Sequence, residues 1–435
     1  MSWQYVWVIL NKSATTAFLR RPDLCTLTVC GLLLACLSLS AFALPTDFSQ
    51  RNQFREAREQ LRLGQMAAYR RSLKELDGYI LKPYLEYYYL NARIRQADQR
   101  DVLAFAEANA ELPATRLLLR RWLRTLGENR QWRTFLKHYT PTSNAELQCY
   151  YLRSLYGTGS KTAALEQTTN LWLQPTSQPK ACDPLFDVWR SSKHFNQDIA
   201  WQRLHAAIVA NQRSLASYLL RYFTGANKTA ATAYYNVHVG PSRISRHQNY
   251  ATDNDRYRQI IAHGLSRLAA RDPDKAAQAW RKYARSHQFP EAQSLRISED
   301  IAVRQAADGT FPEAQFRKLG VSGNSIELLA LAAVRQQEWE ETLFWIERLP
   351  SSLSSKSQWQ YWRGRAKEQL SPAGVEQHFL TLAQQRHYYG FLAARKLGLP
   401  GKMNAARVQF SSINANLTQQ HPGIARAIEL FAVDD

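Results

Sequence analysis

Tryptophan and tyrosine rings stack well on the faces of sugar rings, and arginine pairs with carboxylates. This chain concentrates both residue types in two places. Tyr84, Tyr87, Tyr88 and Tyr89 fall in one short stretch, and Trp359, Tyr361, Trp362, Tyr388 and Tyr389 in another, the latter beside Arg363 and Arg365. Large residues at helical spacing more often serve as knobs between stacked helices than as ligand platforms. The five late aromatics are carried forward as candidates for glycan or interdomain contact, with packing as the competing use.

Other chemistry is sparse. Glu340-Glu341 and Glu299-Asp300 adjoin apolar helix stripes and read as solvated faces or acids near a helix start. The ten histidines show no His-Glu-x-x-His pattern, and His378 and His387 are too far apart in sequence to share one helical turn. There is no glycine-rich phosphate loop and no Gly-x-Ser-x-Gly elbow. No catalytic, cofactor-binding or metal-ligating residue is assigned.

The first 43 residues read as an export signal. Lys12, Arg20 and Arg21 supply a positive start, residues 27–39 an apolar run, and Ala41-Phe42-Ala43 a small-x-small cleavage site before Leu44. The expected destination is the periplasm. Leu33-Leu34-Ala35-Cys36 offers an alternative, a lipoprotein anchored through Cys36, although the residues after Cys36 stay apolar. Cys25, Cys30 and Cys36 lie in this leader, so Cys149 and Cys182 remain as an even pair in an oxidising compartment. A bridge between them would be worth about 3–4 kcal/mol in the chain-entropy picture. Two separately buried thiols are the alternative.

The full sequence has 435 residues and a formal charge of +20, which loss of the leader lowers by two. Such a basic exported chain is drawn to anionic partners in a salt-dependent way. No nucleic-acid reader motif is present. With 45% hydrophobic and 21% charged residues the chain reads as folded, and 18 glycines and 16 prolines are too few for an all-β chain.

Apolar residues recur at helical spacing in pairs of segments. Leu119, Trp122, Leu123 and Leu126 form one stripe, Gly127 breaks it, and Trp132, Phe135, Leu136 and Tyr139 form the next. The pattern returns at Leu265, Leu268 and Ala269 before Ala276, Ala279, Trp280 and Tyr283. It returns again at Leu329, Ala332 and Ala333 before Trp339, Leu343 and Ile346. Each hairpin has an apolar face too wide for water, so successive pairs must stack. The expected fold is all-α, an irregular superhelix of stacked helical hairpins over residues 44–400. Breaks are expected at residues 174–179, 224–228 and 350–355. Residues 237–255 form the longest stretch without periodicity, a loop of either structural or functional use.

Three patches in order resemble one family. They are Tyr79 with Pro83, Tyr84, Leu85, Glu86, Tyr87 and Leu90; the Trp122 and Trp132 pair within residues 113–139; and Trp359, Tyr361, Trp362, Arg363, Arg365 and Ala366 followed by Tyr388, Tyr389, Ala393, Ala394, Leu397 and Gly398. Together they resemble the superhelical region of the soluble lytic murein transglycosylases. The resemblance implies a ring-like superhelix, then a small helical linker domain and a lysozyme-like catalytic domain. Residues 401–435 would begin the linker domain, and the catalytic domain would not be in this chain. The implied reaction of the whole family is non-hydrolytic cleavage of the β-1,4 bond between N-acetylmuramic acid and N-acetylglucosamine, leaving a 1,6-anhydromuramyl end, without metal or organic cofactor. The family's catalytic acid is a Glu followed by Ser, with Gly-Leu-Met-Gln downstream. Neither occurs here, and Ala233-Tyr234-Tyr235-Asn236 is only a superficial match to the family's later Ala-Tyr-Asn element.

The expected partners are peptidoglycan glycan strands, with other cell-wall proteins as further candidates, for a chain acting as a monomer. The competing reading is a periplasmic α-solenoid adaptor that binds other proteins. A helix face at Ile424, Ala427, Ile428 and Phe431 is expected to lie open and apolar.

Overall fold

The structure, a computed structural model, describes residues 48–406 and 421–434. The proposed leader, including Cys36, and residues 407–420 of the proposed linker lie outside them. The described residues contain helices and turns and no strand, from Phe48–Arg62 to Pro422–Ala432. None of these helices is long and apolar enough to cross a membrane.

One turn recurs between paired helices. Residues Gly64, Arg130, Gly159, Asn211 and Gln337 adopt the left-handed region, with φ between 55° and 107°. In each case the next residue's N–H reaches back to close the preceding helix: Gln65 N to Gln60 O at 2.8 Å, Gln131 N to Leu126 O at 2.9 Å, Ser160 N to Leu155 O at 2.9 Å, Gln212 N to Ala207 O at 2.8 Å and Glu338 N to Ala333 O at 3.0 Å. This is the closing bond of a Schellman motif, and it satisfies carbonyls that a helix end leaves unpaired. Starts are fixed by side chains. Asn144 accepts from Leu147 N, Asn254 from Tyr257 N and Asp272 from Lys275 N, at 2.9, 3.0 and 2.9 Å.

The hairpins at Asp255–Ala269 with Pro273–Ser286, and at Gly323–Gln336 with Trp339–Ile346, stand where the apolar stripes put them. The reading of Gly127 needs correction. Helix Pro113–Glu128 runs through it, and the break comes at Arg130, with φ 55°. Gly127 is buried because the Tyr150 ring fills the place of a side chain. Two expected breaks are also mostly helical. Thr224 is the residue before helix Gly225–Val239, and Pro350 precedes the short helix Ser351–Ser354, so both mark starts. The break at residues 174–179 is a loop.

The aperiodic stretch at 237–255 is packed structure. It folds into two 3-10 turns, Pro241–Ser245 and His247–Tyr250, with Ile244 and Tyr250 buried. Tyr283 Oη donates to Ile244 O at 2.7 Å, and His287 Nε2 lies 2.9 Å from Tyr250 O. Backbone carbonyls hold the segment, so no side-chain period announces it.

Buried residues fall into successive clusters along the chain, joined by residues that touch two of them. Tyr89 links the first two clusters, Tyr151 the second and third, and Trp362 the last two. The path then closes. Helix Pro422–Ala432 docks on helix Phe48–Arg62, where Val433 is fully buried in the cluster of Phe54, Tyr69, Leu76 and Leu85. Arg51 Nε and Nη2 donate to the two Glu429 carboxylate oxygens at 3.0 and 2.7 Å, and Tyr79 Oη donates to Glu429 at 3.0 Å. Arg55 Nη2 donates to Ala432 O at 2.6 Å. The opposite face of the last helix carries Ile424, Ala427, Ile428 and Phe431, all exposed, with Phe431 at 86%.

Candidate functional site

Helices Ser357–Leu370 and Tyr388–Lys396 carry the five candidate aromatics, and helix Glu376–Ala383 lies between them in the chain. Trp359 is fully buried and donates from Nε1 to Glu327 Oε1 at 3.0 Å. Tyr361 is buried, with ring centroids 5.7 Å from Phe379, 5.6 Å from Tyr389 and 5.4 Å from Trp362. Trp362 and Tyr389 are half-buried against the same cluster. Tyr388 is 68% exposed, its ring edge-on to Tyr389 at 5.1 Å. The group is therefore one aromatic assembly that joins two core clusters, and it presents Tyr388 to solvent. Gly364 and Gly390 permit the close approach: a Cβ on Gly364 would meet His378 at 2.7 Å, and one on Gly390 would meet Gln385 O at 2.2 Å.

Cys149, in helix Ala145–Gly157, and Cys182, in the turn Lys180–Cys182, form a disulfide with both sulfurs buried, across 33 residues of sequence. It ties the third core cluster together where the chain passes through the 174–179 loop.

The carboxylate pairs divide: Glu340 and Glu341 lie in the first turn of helix Trp339–Ile346, as expected of acids near a helix start, whereas Glu299 departs from the expectation of a solvated face. Glu299 is buried and accepts from Ser322 N at 2.7 Å and from the Ser322 and Ser325 hydroxyls, each at 2.9 Å, fixing the start of helix Gly323–Gln336. Asp300 pairs with Arg304 at 2.9 Å. Glu341 pairs with Arg317 and accepts from Trp345 Nε1 at 3.0 Å, while Glu340 is exposed. Glu299, Asp300 and Glu341 thus serve structure.

Two groupings escaped sequence reasoning. Glu86 lies in a cleft of about 470 Å³ with Asp101 and the stacked rings of Tyr69 and Tyr89, and burial pushes its carboxyl up. Tyr87 follows it, so the family's Glu-Ser pattern does not carry over to it. The second grouping gathers His205, His238 and His263 from three helices. His205 Nδ1 is 2.7 Å from Tyr234 Oη, and His238 Nδ1 is 3.1 Å from His263 Nε2. Burial, aided by Arg267 and Arg213, holds His238 down at about 4; burial, then His238 and Arg267, does the same to His263. These imidazoles are neutral at neutral pH. Their sequence separations hide them from a search for close spacing. His205 and His263 line a cleft of about 650 Å³ with Asp255, Arg258, Arg296 and Asp300. Among the described residues no group of three or more His, Cys, Asp or Glu side chains is arranged to hold a metal ion.

No family model matches the sequence. Among curated proteins, the chain is 27% identical over 413 residues to the soluble lytic murein transglycosylase of Escherichia coli strain K12, covering 93% of this chain and 63% of that protein. It is 27% identical over 390 residues to the protein of the same name from Salmonella typhimurium, covering 88% and 60%. Among solved structures, an inactive mutant of the lytic transglycosylase Slt from Pseudomonas aeruginosa superposes with TM-score 0.75 at 29% identity, over 87% of this chain and 63% of that one. The 70 kDa soluble lytic transglycosylase of Escherichia coli gives TM-score 0.74 at 26% identity, over 88% and 63%. A complex of that enzyme with bulgecin A gives 0.74 at 25%, with the same coverage. The all-helical superhelix is thus the fold of these enzymes, and the chain spans 63% of the length of the first relative.

Proposed function

We propose that this chain is the exported, murein-engaging superhelical portion of a lytic transglycosylase-type protein. The observation that carries the reading is the alignment with soluble lytic murein transglycosylases along 93% of the chain, joined to a superhelix of matching fold. In this reading residues 1–43 are a cleaved export signal, residues 44–400 the superhelix and residues 401–435 the start of a small helical linker domain. The chain acts as a monomer in the periplasm. The family reaction, cleavage at muramic acid with closure of a 1,6-anhydro ring, needs one acid that first donates and then accepts a proton. The sequence contains no Glu-Ser dipeptide and no Gly-Leu-Met-Gln segment, so that role is assigned to none of its residues. The superhelix instead restrains or orients the glycan strand.

The test incubates the purified mature chain with isolated murein sacculi. The pellet is assayed for protein and the supernatant for anhydromuropeptides by mass spectrometry. Pelleting without anhydro products is the expected result. Anhydro products would assign catalysis to a residue of this chain, and absence of pelleting would end the murein reading in favour of a protein adaptor.

A further inference from the structure

Of the larger clefts among the described residues, one carries no charged side chain. It measures about 620 Å³ and opens between helices Trp132–His138, Ala145–Gly157 and Lys161–Trp172. In a chain with 21% charged residues this composition is selective, and the cleft at His205 and His263, about 650 Å³, shows the contrast with its two arginines and two aspartates.

Its walls are of two kinds. Tyr139 and Tyr151 lie ring on ring, centroids 4.5 Å apart and planes at 14°, and form one apolar wall. The lining also bears the amides of Gln148, on the same helix as Tyr151, and of Gln167, Asn170 and Gln174. Gln148 Nε2 is anchored to Thr142 O at 2.5 Å, and Gln174 Nε2 to Asn170 O at 3.2 Å. The side-chain amides of Gln167 and Asn170 have no hydrogen-bond partner among the described residues and are exposed. The frame is braced, since the Cys149–Cys182 disulfide leaves the helix between Gln148 and Tyr151, and Tyr151 packs against two core clusters.

An anionic ligand finds no cation here, and a purely apolar one would strip water from amides without replacing their hydrogen bonds. A pyranose satisfies both walls, laying its C–H face on tyrosine and turning hydroxyl and acetamido groups to the amides. We propose that this cleft is a saccharide subsite for uncharged N-acetylhexosamine units. It rests on the murein reading only for the source of that sugar. Binding there is local and short-ranged, so it is insensitive to salt, unlike the general attraction of a basic chain to an anionic wall.

The experiment titrates a β-1,4-linked tetramer of N-acetylglucosamine into the mature chain by calorimetry, at low and high salt. It repeats the titration with the double variant Gln167→Ala, Asn170→Ala, whose side chains are exposed. The expected result is salt-independent binding that the variant weakens about tenfold, with its thermal unfolding unchanged. No binding, or equal binding by the variant, overturns the subsite. Sacculus pelleting of the same preparations separates the two failures: pelleting that persists leaves murein engagement standing on another surface, and pelleting that is absent brings down both.

Discussion

The Tyr150 ring occupies the space where a side chain on Gly127 would begin, so close that a Cβ there would lie 2.3 Å from Tyr150 Cγ. Two helices of neighbouring hairpins, Pro113–Glu128 and Ala145–Gly157, approach through this contact. Gly127→Ala gains helix propensity but overpacks the seam, and the second effect is larger. The expected loss is about 1–3 kcal/mol, read from the denaturation midpoint. A variant as stable as the parent would show that the two helices can part without cost.

Glu429 is 3% exposed and is held by Arg51 and Tyr79. Removing the carboxylate in Glu429→Ala leaves these partners without it, at a cost of about 1–3 kcal/mol. Amide exchange should rise in Phe48–Arg62 and Pro422–Ala432 and stay constant in the middle of the chain. No acceleration would mean that the apolar contact of Val433 holds the ends by itself, and uniform acceleration that Glu429 supports the whole array rather than its closure.

Acid should weaken the fold through His238 and His263. In the unfolded chain both titrate near about 6.5, whereas in the folded chain they are held at about 4. Between those values the unfolded state binds more protons, so stability rises with pH. This contribution is complete above the unfolded value, declines as pH falls below it and levels off near the folded one. Melting temperatures measured across that window should slope less in His238→Asn, His263→Asn than in the parent, and parallel slopes would remove the histidines from the account.

Loss of the disulfide in Cys149→Ala, Cys182→Ala should cost about 3–4 kcal/mol, and reducing agent should lower the melting temperature of the parent alone. An equal response of both proteins to reductant would point to a different cause.

The open face of the last helix predicts limited solubility, as exposed contiguous apolar groups do. Phe431→Lys with Ile428→Lys should reduce turbidity at high protein concentration, whereas Val433→Lys should increase it, since Val433 is buried and Phe431 is not. Truncation after Pro400 is not a clean test, because it would also remove Glu429 and Val433 and uncover the first core cluster.

The helical hairpins were legible because stripes such as Leu119, Trp122, Leu123 and Leu126 repeat the period of the helix. Gly127 misled because glycine serves equally as a breaker and as a place of close approach, and only the partner ring decides which. Residues 241–250 left no stripe since they are held by the Ile244 and Tyr250 carbonyls. The closing contact joins Arg51 to Glu429 across 378 residues, a distance no local pattern records; the family resemblance implied a ring-like superhelix over residues 44–400, not a closure through residues beyond them. The two cysteines beyond residue 43 leave a single pairing, so the sequence offered one bridge against two separately buried thiols, and the structure decides for the bridge. The histidine trio and the uncharged cleft are assembled from separate helices whose individual sequences show neither.

Open stacks of repeats fray from their outermost units, which have one neighbour where inner units have two, and such arrays carry polar terminal repeats to compensate. In this molecule the first and last described helices supply each other's missing neighbour through Phe54, Val433 and the Arg51–Glu429 pair. Helix Phe48–Arg62, which sequence position alone would make the weakest unit, is bonded on both sides. Loss of structure must then begin with a rupture, at the seam or within the array, and the array should come apart as a hoop does once cut, in fewer and more cooperative steps than a row of the same length.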